Sequence, residues 1–151
     1  MTSFEPAPEP QRIAELCAHA LFAGDRASRS LGFSIEEVRP GFARLRMKVR
    51  TDMLNGHGTC HGGIIFAFAD SAFAVACNTY NAVTVAAAAS IDFLAPAHAD
   101  DELTADAREV WRSKRSGIYE ISVSNQRGEV LALFRGRSHC VGGQIVPSTQ
   151  V

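Results

Sequence analysis

The chain has 151 residues, 46% hydrophobic and 21% charged, with 15 Lys+Arg against 16 Asp+Glu. That length makes about one domain and can bury about 68–70% of its unfolded surface, so no disulfide or metal staple is needed. The net charge of −1 and the pI near 6.5 exclude the broad basic field of a sequence-independent nucleic-acid binder or a polybasic membrane-surface protein.

Residues 1–10, with Pro6, Pro8 and Pro10, read as a flexible N-terminal tail without the basic and apolar regions of a signal peptide. Residues 11–151 read as a single domain. Ile13, Leu16, Cys17, Ala20 and Leu21 fall on helical spacing and Gly24 is a stop, which predicts one short amphipathic helix. Two strands follow over 31–38 and 42–49, around a Pro40-Gly41 turn. A glycine-rich loop over 55–63 then feeds a helix running to about Thr79. That helix is apolar on every side of its wheel, so it is expected to be buried all round. Four strands close the chain, over 84–94, 102–114, 117–125 and 130–141, with Asn125-Gln126-Arg127-Gly128 as a hairpin connection. The expected fold class is α+β, one long central helix wrapped by an antiparallel β-sheet. The longest apolar stretch, 64–77, is broken by Asp70 and Ser71 and falls short of the roughly 20 residues of a bilayer span. A cytoplasmic protein is expected. Cys17, Cys60, Cys77 and Cys140 form no C-x-x-C pair and suggest no disulfide framework.

The loop fails the nucleotide tests. Gly56-His57-Gly58 opens like a dinucleotide fingerprint, but His61 stands where its third glycine belongs. The loop does enter a helix N-terminus, where unpaired N–H groups and the dipole favour negative charge. Gly62 and Gly63 leave those groups sterically open, so a polarised carbonyl oxygen could sit on them; a merely tight junction is the plainer reading. Asp70 lies among Ala67, Phe68, Ala69, Ala72 and Phe73. An unpaired buried carboxylate costs several kcal/mol, so it needs a partner, such as Ser71 or a loop N–H, or a use. Eight residues separate Gly62 from Asp70, about 12 Å along a helix. If both serve one site, two copies of the chain must contribute, which predicts a symmetric dimer.

Other groupings are weaker. His57, Cys60 and His61 could join Cys77, His139 or Cys140 around a metal, but their spacing matches no zinc pattern. Cys60 and His61 are sequence neighbours and make a poor nucleophile pair. His61 could orient a carbonyl or cap the loop. Arg112, Lys114 and Arg115, and the Arg135/Arg137 pair on one strand face, could grip phosphates; a solvated sheet face explains them as well.

Two runs carry a resemblance: Met53-Leu54-Asn55-Gly56-His57-Gly58-Thr59-Cys60-His61-Gly62-Gly63 and Asp70-Ser71-Ala72-Phe73-Ala74-Val75-Ala76-Cys77-Asn78. Together with Ser90-Ile91-Asp92-Phe93-Leu94-Ala95-Pro96-Ala97 and Ala132-Leu133-Phe134-Arg135-Gly136-Arg137-Ser138-His139, they resemble the PaaI-type thioesterases of phenylacetic acid degradation. These belong to the hotdog-fold acyl-CoA thioesterase superfamily, and the resemblance spans about residues 25–143. It implies a hotdog fold, paired into homodimers and often homotetramers with sites shared between subunits. It implies that Asp70 acts as nucleophile or general base and that Asn55 positions water or thioester. His61 and Gly62 match the pair that polarises the carbonyl, Gly62 through its N–H. The implied substrate is an aryl- or arylacetyl-CoA thioester, with CoA part of the substrate and no metal or redox cofactor. Gly63, Phe66, Phe73 and the small residues 86–89 are expected to line its site, with Arg112, Lys114 and Arg115 near the CoA phosphates. Some relatives hold the attacking water with a Ser or Thr on the strand after the helix. Residues 86–89 offer no hydroxyl, and Ser90 is out of place. Two rival readings remain, a hotdog acyl-CoA hydratase or dehydratase and a non-catalytic acyl-CoA-binding protein. The first needs an Asp/His or Glu/His arrangement not found here; the second normally carries an added DNA-binding domain.

Overall fold

The computed structural model describes residues 9–151. Helices α1 (Pro10–Ala23) and α2 (Arg26–Ser30) precede strands β1 (Ser34–Arg39) and β2 (Phe42–Lys48). Helix α3 (Gly62–Cys77) follows, then β3 (Thr84–Phe93), β4 (Glu102–Arg112), β5 (Ser116–Ser124) and β6 (Val130–Cys140). The expected tail over 1–10 falls mostly outside the described residues, and at its end the expectation fails. Pro10 is the first residue of α1, where its fixed φ suits a helix and its missing N–H is no loss. Helix α2 was not expected. Gly24 ends α1, but Asp25 starts a new helix at once by accepting the Ser28 N–H at 2.9 Å.

The six strands form one antiparallel sheet in the order β1-β2-β4-β5-β6-β3. Asn125 fixes the β5–β6 hairpin by accepting the Arg127 and Glu129 N–H groups at 3.0 and 3.1 Å. Helix α3 lies across the sheet. Phe73 packs at 5.4 Å from Tyr119 and 6.0 Å from Phe134, and the approach is so close that a Cβ on Gly136 would stand 2.7 Å from the Phe73 ring. Phe68 meets Phe33 on the other flank.

Helix α3 is not buried all round. Ile65, Phe68, Ala69, Ala72, Phe73 and Ala76 are covered, while a stripe through Ala67, Asp70 and Ala74 stays half-open. The strand order explains the gap. β3 sits at the end of the sheet, bonded to β6, and nothing else among the described residues pairs its other side. The free side is apolar: Val85 is 46% and Phe93 54% exposed, and Ala86 to Ala89 between them are exposed too.

Candidate active site

Asn55 organises the loop before α3. Its Oδ1 accepts from the backbone N–H of His57 at 2.9 Å and of Thr59 at 3.2 Å, while its own N–H bonds the Thr59 carbonyl at 2.8 Å. With the oxygen spent on the loop, the Nδ2 hydrogens are what Asn55 offers outward. His61 is the N-cap of α3, its Nδ1 accepting the Gly63 N–H at 2.9 Å, which puts the hydrogen of the neutral ring on Nε2. The His61 carbonyl takes the N–H groups of Ile64 and Ile65 at 2.9 and 3.2 Å. Gly62 is then the one residue of this first turn whose N–H has no acceptor among the described residues. The expectation that Gly63 also presents an open N–H is corrected: the His61 ring occupies it. A hollow of about 400 Å³ opens beside this turn, lined by Asn55, Thr59, Gly62, Phe93 and Pro96.

Asp70 borders a second hollow, of about 350 Å³, with Phe22, Asp25, Ser71, Asn78 and Ala86. Its carboxylate accepts no hydrogen bond among the described residues. Ser71, the expected structural partner, is bonded to Ser28 instead, at 2.7 Å. Burial raises the Asp70 pKa, and the negative charge of Asp25 raises it further. An unpartnered, half-buried carboxylate of raised basicity is placed to take a proton from water. The two hollows share no lining residue. Each reaches β3, the Asp70 hollow at Thr84, Val85 and Ala86, the Gly62 hollow at Phe93. The separation expected from helix length is therefore present within one chain.

The remaining candidates divide. Burial pushes the Cys60 thiol up to about 11 and the Cys77 thiol up to about 12, so neither is a ready nucleophile. Cys60 and Cys77 stand at opposite ends of α3, and no three His, Cys, Asp or Glu among the described residues gather as a metal site. The grouping of His57, Cys60, His61, Cys77, His139 and Cys140 is thus not assembled. Phe73 touches the Asp70 hollow but is wholly buried core, and Phe66 stands edge-on to Phe134 at 5.1 Å, away from both hollows. Of the two residues expected to line an acyl pocket, Phe73 borders the Asp70 hollow and Phe66 borders neither hollow. Arg112 stacks over Tyr80 at 3.7 Å and pairs with Glu109 at 3.5 Å, whereas Lys114 and Arg115 are exposed in the β4–β5 turn and make no ion pair among the described residues. They border a recess that shares Thr84 with the Asp70 hollow. Arg135 is bound to Glu120 at 2.6 Å and Arg137 is exposed, as on a solvated sheet face. Ser90 lines a recess with Asp92 and Arg135 and does not border the Asp70 hollow. Asp25 borders the Asp70 hollow and was not expected there; the Gly24-Asp25 junction followed by Ser28 is an N-cap signal that could have found it.

Comparison with known proteins gives a consistent picture. Residues 57–132 match the family described as the thioesterase superfamily. The chain is 47% identical over 128 residues to the acyl-coenzyme A thioesterase PaaI of Escherichia coli, covering 85% of this chain and 91% of that protein. A solved structure of the E. coli PaaI protein from the phenylacetic acid degradation operon superposes with a TM-score of 0.89 at 44% identity, over 90% of this chain and 99% of that one. A variant of the phenylacetic acid degradation protein PaaI from Thermus thermophilus gives 0.75 at 38%, over 78% and 100%.

Proposed function

The chain belongs to the thioesterase superfamily, and from that premise we propose that it hydrolyses acyl-CoA thioesters, aryl or arylacetyl ones above all, to free CoA and a carboxylic acid. The cellular setting proposed is the cytoplasmic degradation of phenylacetic acid. The observation that carries the reading is the pair of half-sites at the two ends of one bare strand. A free N–H at a helix start suits a developing oxyanion, and a basic, unpartnered carboxylate suits the activation of water. Neither half can do the chemistry alone.

The edge of β3 brings them together. Two copies of β3 paired antiparallel across a two-fold axis set the Thr84 end of each against the Phe93 end of the other. Asp70 of one subunit then faces the Gly62 hollow of its partner, and the dimer holds two shared sites. Pairing also covers an apolar edge that a lone chain would leave open to aggregation. A homotetramer would be a dimer of such dimers.

In the shared site the thioester oxygen sits on the Gly62 N–H, aided by the positive end of α3, with Asn55 Nδ2 holding water or the acyl group. His61 acts by closing the Gly63 N–H and fixing the loop. Water oxygen attacks the carbonyl carbon as Asp70 takes its proton, the C–S bond breaks, and the CoA sulfur leaves and is protonated. Direct attack by Asp70 on the same carbon reaches the same products through an anhydride. Lys114 and Arg115 are the cations free to meet CoA phosphates, with Arg112 held back by Tyr80 and Glu109. No metal or redox cofactor is needed for these steps.

A panel of acyl-CoA substrates assayed with a thiol reagent tests the reading. Phenylacetyl- and hydroxyphenylacetyl-CoA should release thiol fastest. Binding of every acyl-CoA without thiol release would identify a binding protein, and addition or loss of water at the acyl chain would identify a hydratase or dehydratase.

A further inference from the structure

The hollow beside Asp70 has a wall from an unexpected quarter. Its α3 side runs from Asp70 through Ala74 to Asn78, two turns or about 12 Å towards the helix C-terminus. β3 borders it with Thr84 and Ala86, and the last turn of α1 borders it with Phe22. Ala74 and Ala86 are small and leave room; Phe22 is the large side chain that bounds it. Phe22 is also held in place. It packs against the core, its carbonyl takes the Asp25 N–H at 3.1 Å, and Ser28 of α2 is bonded to Ser71 of α3 at 2.7 Å.

The hydrogen bonds of the lining decide what the hollow can hold. Asn78 donates its Nδ2 hydrogens to the carbonyls of Ala74 and Thr84, at 2.8 and 2.9 Å. The Thr84 hydroxyl donates to the Ala82 carbonyl at 2.8 Å. Ser28 donates to Asp25, so the one hydroxyl hydrogen of Ser71 goes to Ser28. Every side-chain donor of the lining is thus engaged, and its two charged groups, Asp25 and Asp70, are acceptors. A phosphate, or the carbonyl of a pantetheine amide, would lose its water there and find no side chain to replace it. An apolar group carries no such cost. The volume of about 350 Å³ sits at the low end of the roughly 300–1,000 Å³ of ligand sites, and an apolar cavity of about 150 Å³ already holds a benzene ring. The hollow has room for a ring-sized group and not for a whole acyl-CoA.

We propose that this hollow takes the acyl group of the substrate and that Phe22 is the specificity-determining residue that limits its size. The inference rests on the thioesterase reading, which puts the thioester carbonyl at Asp70. From there the acyl group extends along α3 towards Asn78, and the sulfur and the rest of CoA stay outside the hollow.

Phe22→Ala is the first variant, read as a ratio between acyl groups, which a loss of folded protein does not move. With the ring gone the hollow is larger. The kcat/KM for naphthylacetyl-CoA relative to phenylacetyl-CoA should rise at least about tenfold, since one methylene in an apolar pocket is worth about 10–200-fold. Phe22→Trp should act in reverse, lowering phenylacetyl-CoA relative to acetyl-CoA, which carries no ring. An equal change for all three thioesters, or none, overturns the proposal; an equal change would put the pantetheine arm beside Phe22 instead. If Phe22→Ala does not fold, Phe22→Leu is judged by the same ratio. A second readout needs no turnover. The phenethyl-CoA thioether cannot be hydrolysed, and calorimetry should find wild type binding it more tightly than CoA, with that margin about tenfold smaller in Phe22→Ala. A margin that shrinks in a protein that cleaves no acyl-CoA would remove the thioesterase reading and keep Phe22 as the wall. A wild type that binds the thioether no more tightly than CoA, or a margin unchanged in Phe22→Ala, overturns the wall whatever the turnover.

Discussion

At the scale of single residues, the proposed mechanism gives Asp70 and Gly62 opposite halves of the chemistry, and they call for opposite kinds of substitution. Asp70→Asn keeps the shape and removes the basic oxygen. Turnover should drop by about 10²–10⁴-fold. Because the folded state raises the Asp70 pKa, its ionised form is the costlier one there. That penalty is full above the folded pKa and absent below the ordinary carboxylate range. Thermal denaturation should therefore show Asp70→Asn melting at or above wild type at pH 7, with the gap closing as pH falls through the carboxylate range. A melting loss at neutral pH with turnover preserved would make Asp70 structural. Gly62→Pro deletes the unbonded N–H at the first helical position, where proline is best tolerated. His61 before it, at ψ 132°, already has the backbone a following proline prefers. The Phe93 ring, 3.1 Å from where a Cβ would stand, must swing aside, and it is exposed enough to do so. We expect kcat to fall by about 10²–10³-fold, the loss typical of one oxyanion donor, with melting nearly unchanged. Asp70 was legible in the sequence because a charge among alanines and phenylalanines is costly. Asp25 was not, since a lone acid after a glycine looks like an ordinary cap until α2 is seen to press Ser28 against Ser71.

At the scale of elements, periodicity placed every strand to within a few residues, yet could not say which strand would lie at the edge. The four alanines from Ala86 to Ala89 suit a helix or a strand equally and name no neighbour. Only the pairing of β3 with β6 shows one side spare. The same topology explains why α3, apolar all round, is open along one stripe: its last cover is expected from a second subunit. Ala88→Lys puts a long cation in the middle of that bare edge, where two copies would bring two like charges together across the axis. Sedimentation should find monomers with the secondary structure retained, and thioester hydrolysis should be lost with the dimer. A monomeric variant of full activity would show that one chain completes its own site.

At the scale of the whole molecule, the proposed shared site would make activity a property of the pair, because the two hollows are separate in one chain. An Asp70→Asn chain lacks the base and a Gly62→Pro chain lacks the oxyanion donor, so each homodimer should be inactive. Mixed and allowed to exchange, they form heterodimers in which one site has both defects and the other has neither. Up to one site in two should recover within each heterodimer, and fluorescence energy transfer between labelled chains can confirm exchange. Exchange without recovered activity would refute the cross-chain site. The lone edge of β3 also bears on how the protein comes to exist. Its one partner among the described residues, β6, begins at Val130, 37 residues after β3 ends at Phe93. On the ribosome, at about 5–20 residues per second, β3 waits on the order of seconds with both flanks bare. Docking of β6 covers one flank, and in the proposed dimer arrival of a second copy covers the other. On that proposal maturation and activation are successive stages in sheltering a single strand, and the interval in which a nascent chain is most prone to stick to its neighbours ends only as a working enzyme forms.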